Sequence, residues 1–401
     1  MNERIISLLG LIAFVGCGYL CSVNRSRIRW STVLWGIGLQ LILAFFILKT
    51  TVGLMLFQFL GKIAIAFLDF SDAGSRFVFG EGFEEHFIAF KVLPTIVFFS
   101  AFISLLYHYQ ILPRVVSGLG WVMMRTMKTS GAESLSCAAN IFVGQTEAPL
   151  LIKPYLPRLT ISELHAVMTG GFATIAGGVM AAYISFGIPA QHLISASVMS
   201  APAALAMAKI FYPETAKPET TGKIKVETKR VYINAIDAIT TGALDGLKLA
   251  LNVGAMLIAF LGLLALVNGL LGWIGQQVGL SQLSLEWILS YLMFPFAWLM
   301  GIPLADCSQA GILLGKKVIL NEFVAYLDLK EMIATLSPRT TIIMTYALCG
   351  FSNFGAIGIQ IGGLNAIAPS RQQDLALLGL RAMIAGSLAC FMTACVTGML
   401  L

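Results

Sequence analysis

Long apolar runs alternate with short polar segments along the chain. The runs are about 20 residues long, which is the length that an α-helix needs to cross a bilayer. Barrel strands would be roughly 10 residues long and would alternate apolar with polar positions. The pattern therefore predicts an all-α polytopic membrane protein with spans over Ile5–Val23, Trp30–Leu48, Val92–Leu112, Glu163–Phe186, Pro189–Ile210, Leu249–Trp273, Arg339–Ala368 and Ala382–Leu401.

The segments between these spans differ in polarity. Thr51–Leu68 is apolar but carries a lysine and a glutamine, which favours a helix lying at the membrane interface. Asp69–Phe90 is acidic and contains glycine, so we expect a loop there. Tyr212–Arg230 is rich in Pro, Lys, Glu and Thr, which is typical of a linker between two halves of a protein.

Two apolar segments are interrupted by a carboxylate and indicate re-entrant hairpins. Ser134–Ile152 is broken at its centre by Gly144-Gln145-Thr146-Glu147, and Cys307–Leu327 contains Glu322. We expect two half-helices to meet at the polar tip of each hairpin. Irregular backbone at membrane depth is tolerated only where protein or a water-filled cavity covers it. Lys316 and Lys317 in the second hairpin are expected to serve helix packing or to solvate the tip.

The two hairpins belong to a repeat. Each precedes a span that small residues interrupt, near Thr174 and Gly177-Gly178 in the first half and at Cys349–Gly355 in the second. An odd number of crossings separates the halves, so the repeats are inverted. Inverted repeats with broken helices place a substrate site near the bilayer midplane.

Five parts of the chain follow from this organisation. They are N-terminal spans with an interfacial helix and scaffold (1–130), a first repeat with hairpin and broken helix (131–212), a cytoplasmic linker (213–231), a long scaffold helix with an interfacial segment (232–302), and a second repeat with hairpin, broken helix and last span (303–401).

Composition and charge agree with a membrane protein. Of the 401 residues, 58% are hydrophobic and 11% are charged, whereas soluble domains carry about 25% charged residues. The net charge of +6 lies mostly in loops, so we interpret it as topology information and predict no nucleic-acid partner. If both hairpins re-enter, the basic loops share one side, and the positive-inside rule puts both termini outside.

The candidate chemistry lies at the hairpin tips and in the second helix break. A carboxylate at membrane depth is costly, so it marks a substrate or ion path. Carboxylates without a nearby cation suit a neutral polyhydroxylated solute, because carboxylates accept from hydroxyl groups and amides pair with donor–acceptor ring edges. The residues concerned are Gln145, Thr146, Glu147, Glu322 and Asn353, with Phe351 available to cover a base or a sugar face.

Three longer motifs carry a resemblance to a known family. They are Gly144-Gln145-Thr146-Glu147-Ala148-Pro149, Asn321-Glu322-Phe323-Val324-Ala325-Tyr326 and Cys349-Gly350-Phe351-Ser352-Asn353-Phe354. In order and spacing they resemble the two hairpin signatures and the broken seventh span of the concentrative nucleoside transporters. The resemblance covers nearly the whole chain. It implies a homotrimer with eight spans and two hairpins per subunit, in which a transport domain moves against a scaffold as an elevator.

The same resemblance implies roles for individual residues. Gln145, Thr146 and Glu147 would meet the nucleobase beside Val179, and Glu322 and Asn353 would hold the ribose near Phe351. Sodium would bind the side chains of Asn140 and Thr174 and the backbone carbonyls of Val143, Thr174 and Ile175. Many relatives have serine where this chain has Ala356, so part of the expected ribose contact is missing.

The resulting expectation is sodium-driven uptake of purine and pyrimidine nucleosides through a multi-pass protein in a bacterial inner membrane, without an enzyme cofactor. Proton coupling through Glu147 or Glu322 is the main alternative. An intramembrane enzyme could use the same two residues as acid and base, but neither motif supplies a His or Asp partner. A passive channel is a third alternative, against which two occluding hairpins favour alternating access.

Overall fold

The computed structural model describes residues 2–222 and 232–401, and that part of the chain is helical. It has α1 (Glu3–Cys21), α2 (Trp30–Lys49), α3 (Thr51–Phe79), α4 (Leu93–His108), α5 (Ile111–Met127), α6 (Gly131–Ala139), α7 (Ile161–Ala173), α8 (Gly177–Ser185), α9 (Ala190–Phe211), α10 (Ala235–Val278), α11 (Leu285–Leu299), α12 (Cys307–Ile319), α13 (Glu322–Met332), α14 (Pro338–Leu348), α15 (Phe354–Ile367) and α16 (Gln372–Leu400). Short 3-10 segments cover Arg25–Arg27, Glu81–Glu84, Ala148–Ile152, Leu156–Arg158 and Pro369–Arg371, and Phe87–Val92 is a π-helix.

Eight helical stretches in the described residues are long and apolar enough to cross a membrane, which confirms the predicted all-α polytopic class. Seven of them overlap predicted spans. The eighth is α3, whereas the predicted span Arg339–Ala368 is divided into α14 and α15. The division falls at the small residues where the sequence predicted an interruption.

The helix α3 differs from the prediction for its region. The expected loop from Asp69 is wrong up to Phe79, because α3 continues through it as one helix of 29 residues. Leu68, Ser71 and Ser75 recur at helical spacing on its buried face. By length and composition α3 qualifies as a span, which is more than the interfacial helix expected over Thr51–Leu68.

The helix α10 is longer than predicted, with 44 residues where the sequence indicated a start near Leu249. The side chain of Asn234 caps its N-terminus by accepting from the amide of Asp237 at 2.9 Å. Asp237 and Asp245 therefore lie inside the helix. An additional amphipathic helix, α5, follows α4 where no element was predicted.

The two hairpins are built differently. In the first, α6 begins at a capping box formed by Ser130 and Glu133, but the returning arm consists of 3-10 turns. The prediction of two half-helices is therefore wrong for this arm, because Pro149, Pro154 and Pro157 remove backbone donors there. The second hairpin has two regular helices, α12 and α13, and continues beyond Leu327 to Met332.

The helices form a buried centre and a less buried periphery. In the most apolar 18-residue segment of each span, 94% of the residues are buried in α7–α8 and 89% in α9. The corresponding share is 17% in each of α3, the span Phe87–His108 and α10. The helix α16 packs against α1, α2, α7, α9 and α14. At the periphery, Gly242 and Gly246 of α10 lie close to Ser100 and Ser104 of α4, so these two helices approach each other closely.

The first part of the predicted linker is attached to the first hairpin. The carbonyl oxygen of Thr220 accepts from the amide of Gly131 at 3.0 Å, and its hydroxyl accepts from the amide of Ala132 at 3.0 Å. The rest of the predicted linker, residues 223–231, lies outside the described residues. The division of the chain into five parts stays a prediction.

Candidate functional site

The two broken helices meet at their breaks. The chain leaves α7 at Thr174 in an extended conformation, and the amide of Phe351, between α14 and α15, donates to the carbonyl of Thr174 at 3.2 Å. Gly350 packs directly against the carbonyl of Phe172. Helix ends leave backbone groups without helical partners, so this crossing concentrates free polar groups at one place in a buried bundle.

Glu322 is a buried acidic group of this region that two side-chain donors hold in place. It is the first residue of α13, where the helix dipole favours a negative charge, and it is 4% exposed. Its two carboxylate oxygens accept from the hydroxyl of Tyr183 and from the amide nitrogen of Asn353, each at 3.0 Å. Hydrogen bonds to a charged group contribute about 1.5–3 kcal/mol each, which offsets the cost of burying the carboxylate.

Asn353 uses both ends of its side chain. Its amide nitrogen donates to Glu322, and its carbonyl oxygen caps α15 by accepting from the amide of Ala356 at 2.8 Å. Phe351 beside it is half-buried. The sequence predicted that Asn353 and Glu322 lie together, and the structure brings them into direct contact.

Glu147, the acidic group of the first hairpin, is more than one-third exposed. The amide of Gly144 donates to its carboxylate. Glu147 lines a cavity of about 440 Å³ that is bounded by α4, α5, α10, the first hairpin and the start of α8. Lys153 and Asp245 line the same cavity, so the expectation of no cation near this carboxylate is wrong for the cavity.

The two hairpin carboxylates do not line one shared cavity, although the repeat pattern predicted a common site near the midplane. Glu322 does not line the cavity that contains Glu147. Both groups flank α8: Glu147 contacts Gly144, which packs beside Ala176 at the start of the helix, and Glu322 contacts Tyr183 further along. At 1.5 Å per residue, Ala176 and Tyr183 are about 10 Å apart along the helix axis.

Gln145 and Thr146 turn away from the cavity. Among the described residues, neither side chain lines it. Gln145 is 6% exposed and packs beside Gly171 of α7, and its side-chain oxygen has no hydrogen-bond partner. Thr146 packs against Gly363 of α15. Gln145 thus brings an unsatisfied buried acceptor close to the site, a group that a ligand donor would satisfy.

Four residues were predicted to bind sodium, and the two that would use their side chains are buried. Asn140 and Thr174 are each 1% exposed. The side-chain nitrogen of Asn140 donates to the carbonyl of Ser136 at 3.0 Å, and no group in residues 2–222 or 232–401 bonds to its side-chain oxygen. The Thr174 hydroxyl donates to the carbonyl of Gly170 at 2.9 Å, so its lone pairs stay available.

The other two predicted positions would contribute backbone carbonyl oxygens. Val143 lies in the hairpin tip and Ile175 in the first helix break. The amide of Gly177 donates to the carbonyl of Phe142 at 3.1 Å and holds the tip against α8. Oxygen donors without sulfur or imidazole suit a hard cation, so the orphaned oxygen of Asn140 fits the predicted ion.

Tyr183 is a site residue that the sequence analysis missed. It is fully buried, donates to Glu322, and packs against Tyr326 at a ring-centroid distance of 4.3 Å. Val179, which was predicted to contact the base, lies four residues earlier on the same face of α8 and is 3% exposed. A tyrosine in an apolar half-helix was the available signal, because a buried phenol needs a polar partner.

The fold and the site together define a polytopic membrane protein with paired hairpins that each carry a carboxylate, and with paired helix breaks. Three family models match the chain: Na+ dependent nucleoside transporter C-terminus over residues 192–398, Na+ dependent nucleoside transporter N-terminus over residues 9–82, and a gate model described as nucleoside recognition over residues 89–190. The chain belongs to the Na+ dependent, or concentrative, nucleoside transporter family.

Similar proteins are found among curated sequences. Solute carrier family 28 member 3 of Rattus norvegicus is 48% identical, with 100% of this chain and 59% of the relative aligned. Sodium/nucleoside cotransporter 1 of Homo sapiens is 44% identical, with 99% of this chain and 64% of the relative aligned. The chain therefore spans about 60% of the length of the curated relatives it matches.

Solved structures of similar length are also found. CNTnw in an inward-facing substrate-bound state matches with a TM-score of 0.94 and 38% identity, covering 99% of this chain and 98% of that one. A doubly substituted CNTnw in an outward-facing state matches with a TM-score of 0.95 and 38% identity, covering 99% and 98%. The fold is thus that of a concentrative nucleoside transporter.

Proposed function

We propose that this protein takes up nucleosides across a membrane together with sodium. The observation that carries the proposal is the pair of polar centres at the crossing of the two helix breaks. One centre is the buried Glu322 with Tyr183 and Asn353. The other combines the buried Asn140, whose side-chain oxygen has no partner among the described residues, with the buried Thr174 at the first helix break. Membership of a sodium-dependent nucleoside transporter family supports the pairing of these two ligands.

The nucleoside would bind with its ribose toward the second hairpin. Vicinal hydroxyls can donate to both oxygens of Glu322, while Asn353 contributes its amide. The base would then extend along α8 toward the first hairpin, where Gln145, Thr146 and Glu147 offer donors and acceptors. Phe351 and Val179 would supply apolar contacts to the rings. The separation of about 10 Å along α8 suits a ligand that carries one base and one sugar.

Sodium would bind the oxygens of Asn140, Val143, Thr174 and Ile175. An ion there would fix the end of α7 against the first hairpin, and the bond from Phe351 to Thr174 joins that region to the ribose centre. Ion binding would therefore organise the substrate site. The unpartnered side-chain oxygen of Asn140 favours sodium over a proton, since a proton requires an acceptor that changes charge.

Transport would proceed by movement of the buried centre against peripheral helices. The helices α4 and α10 are mostly unburied in the single chain and pack closely on each other, which suits a static scaffold. Their exposed apolar surface would face lipid and, in a homotrimer, other copies of the chain. We propose that the protein lies in a bacterial inner membrane with both termini on the outer side of that membrane.

Uptake into proteoliposomes tests the proposal. Purified protein should accumulate uridine and adenosine when sodium is higher outside, and collapse of that gradient at constant pH should abolish accumulation. The variant N140A should need roughly tenfold more sodium, because one oxygen ligand is lost. Its matched control is N365A, which changes an asparagine of α15 outside both proposed centres.

Each competing function has its own outcome in this assay. Equal uptake with and without sodium at a fixed proton gradient would reject sodium coupling and favour proton coupling. Uptake that stops at the outside concentration would indicate a passive channel. Since the family is one of transporters, we do not propose an enzyme, and intact nucleoside recovered from the vesicles should agree with that.

A further inference from the structure

Two adjacent lysines in the second hairpin have opposite environments. The ammonium group of Lys316 lies 2.7 Å from Asp328 and 3.2 Å from Glu286, so two carboxylates neutralise it. Lys317 is 0% exposed, and no carboxylate among the described residues lies within salt-bridge distance of it. A buried charge is costly without compensation, and packing alone would be served by a neutral side chain. The burial of the Lys317 ammonium group therefore indicates a functional role.

The ammonium group of Lys317 lies at the end of a half-helix. It donates to the carbonyl of Ala347 at 2.7 Å, one residue before the last residue of α14. It also lies 5.9 Å from the centre of the Phe391 ring. The C-terminus of a helix carries partial negative charge and attracts a cation. Lys317 thus places a positive charge at the second helix break from inside the protein.

The two hairpin tips share a short sequence repeat. Asn140-Ile141-Phe142-Val143 in the first corresponds to Asn321-Glu322-Phe323-Val324 in the second. In this alignment the residue one helical turn before the asparagine is Ser136 in the first hairpin and Lys317 in the second. The inverted repeats therefore differ by a positive charge at matched positions beside their helix breaks.

The first repeat has Ser136 at the position where the second has Lys317. The hydroxyl of Ser136 and the side-chain oxygen of Asn140 are buried and have no hydrogen-bond partner within the described part of the chain. In the second repeat side chains occupy two of the last carbonyls of α14, because Tyr326 donates to Thr345 at 2.7 Å and Lys317 donates to Ala347. One break has spare oxygen acceptors, and the other has a built-in donor.

We propose that the ammonium group of Lys317 stands in the second repeat where the coupling sodium stands in the first. This inference rests on the proposed sodium site at Asn140 and Thr174. Each broken helix then carries one cation at the end of its first half, but only the first repeat takes that cation from solution. The tethered charge keeps the second break organised throughout the transport cycle, so Glu322 stays positioned when sodium leaves.

Three substitutions at one position test this inference. K317A removes the charge and leaves space, K317M keeps the length without the charge, and K317R keeps a charge. K316A is the matched control on the neighbouring lysine, whose charge two carboxylates already satisfy. Each purified variant is studied by thermal unfolding in detergent without nucleoside, and by uptake in proteoliposomes, at graded sodium and with or without ethylammonium.

We expect K317A to lose at least tenfold in uptake and to melt several degrees lower than the unsubstituted protein. Ethylammonium or high sodium should restore part of both losses in K317A, because a free cation can enter the vacated space. K317M should stay impaired under every condition, since its side chain fills the space without charge. Ethylammonium should leave the melting temperature of the unsubstituted protein unchanged, and it should likewise leave that of K316A unchanged.

Two results would overturn the inference. The first is K317M transporting as well as the unsubstituted protein. The second is monodisperse K317A that no cation stabilises or reactivates. If K317A cannot be purified, K317R must transport better than K317M, and the reverse order rejects the idea. Uptake by the unsubstituted protein that does not depend on sodium would instead reject the proposed function. The melting temperatures of the Lys317 variants with and without ethylammonium separate that failure from failure of this inference.

Discussion

The first and second hairpins present their carboxylates in contrasting ways. Glu147 lies on a tip whose returning arm is made of 3-10 turns, and its side chain opens onto a cavity. Glu322 begins a regular helix and is held by two protein donors. The second hairpin is therefore organised before a ligand arrives, whereas the first keeps freedom to adapt. A site with one fixed and one adaptable side can hold a constant sugar while it accepts different bases.

The largest expected effect is at the fixed side. E322Q should lower kcat/KM for uridine uptake by about 100-fold, because hydrogen bonds to a charged group are worth about 1.5–3 kcal/mol each and 1.4 kcal/mol is tenfold. Uptake rates over a range of uridine concentrations measure this loss. The control is E331Q on the exposed side of the same helix. Near-normal uptake by E322Q would remove the central role given to this carboxylate.

A smaller effect is expected from the donor that holds Glu322. Y183F removes the hydroxyl that donates at 3.0 Å but keeps the ring packing, so we expect about a tenfold rise in KM with little change in melting temperature. Y326F, which loses a bond to the backbone of α14 instead, is the matched comparison. If Y183F binds nucleoside as tightly as the parent protein, Glu322 does not depend on this positioning contact.

The adaptable side should respond through selectivity. E147Q should change the ratio of purine to pyrimidine uptake several-fold and leave the melting temperature without nucleoside unchanged, because Glu147 is more than one-third exposed and faces a cavity. Competition by a panel of nucleosides, together with thermal unfolding, measures both quantities. A large loss of stability in E147Q would contradict the contrast between the two hairpins, since it would make both carboxylates structural.

The smallest expected effect sharpens the fixed side. A356S adds a hydroxyl at a buried position beside Asn353, and we expect a two- to threefold gain in affinity for ribonucleosides, about 0.5 kcal/mol. Deoxynucleosides that lack the contacted hydroxyl should gain nothing. The ratio of inhibition constants for the two classes reports the change. An equal gain for both classes would place the new hydroxyl away from the sugar.

Sequence patterns located the hairpins, the breaks and most of the polar residues. Charged and amide side chains inside apolar runs are conspicuous, so Glu147, Glu322 and Asn353 could be found without coordinates. Patterns failed where a side chain's role depends on its partner. Tyr183 matters because of a residue 139 positions away, and no local spacing encodes such a contact. Gln145 likewise matched a family motif, yet its direction depends on how Gly171 and α15 pack around it.

Boundaries were harder for a similar reason. The acidic start of the expected loop at Asp69 discouraged a helix, but Asp72 is paired with Lys91 at 3.1 Å. That ion pair compensates a charge that would otherwise end an apolar segment. For the returning arm of the first hairpin, the sequence predicted a helix that the structure does not have. Its apolar residues favoured a helix, but its prolines prevented one.

The single hydrogen bond between the amide of Phe351 and the carbonyl of Thr174 has a thermodynamic corollary. It would make one backbone segment part of both proposed pockets, so any factor by which the bound ion raises nucleoside affinity must equal the factor by which bound nucleoside raises ion affinity. A cell could then draw on a steep salt gradient to pull a dilute nutrient inward, and a rich supply of that nutrient would in turn help the protein retain its ion. The same hydrogen-bonded backbone segment would disfavour passage of the ion without the nucleoside or of the nucleoside without the ion.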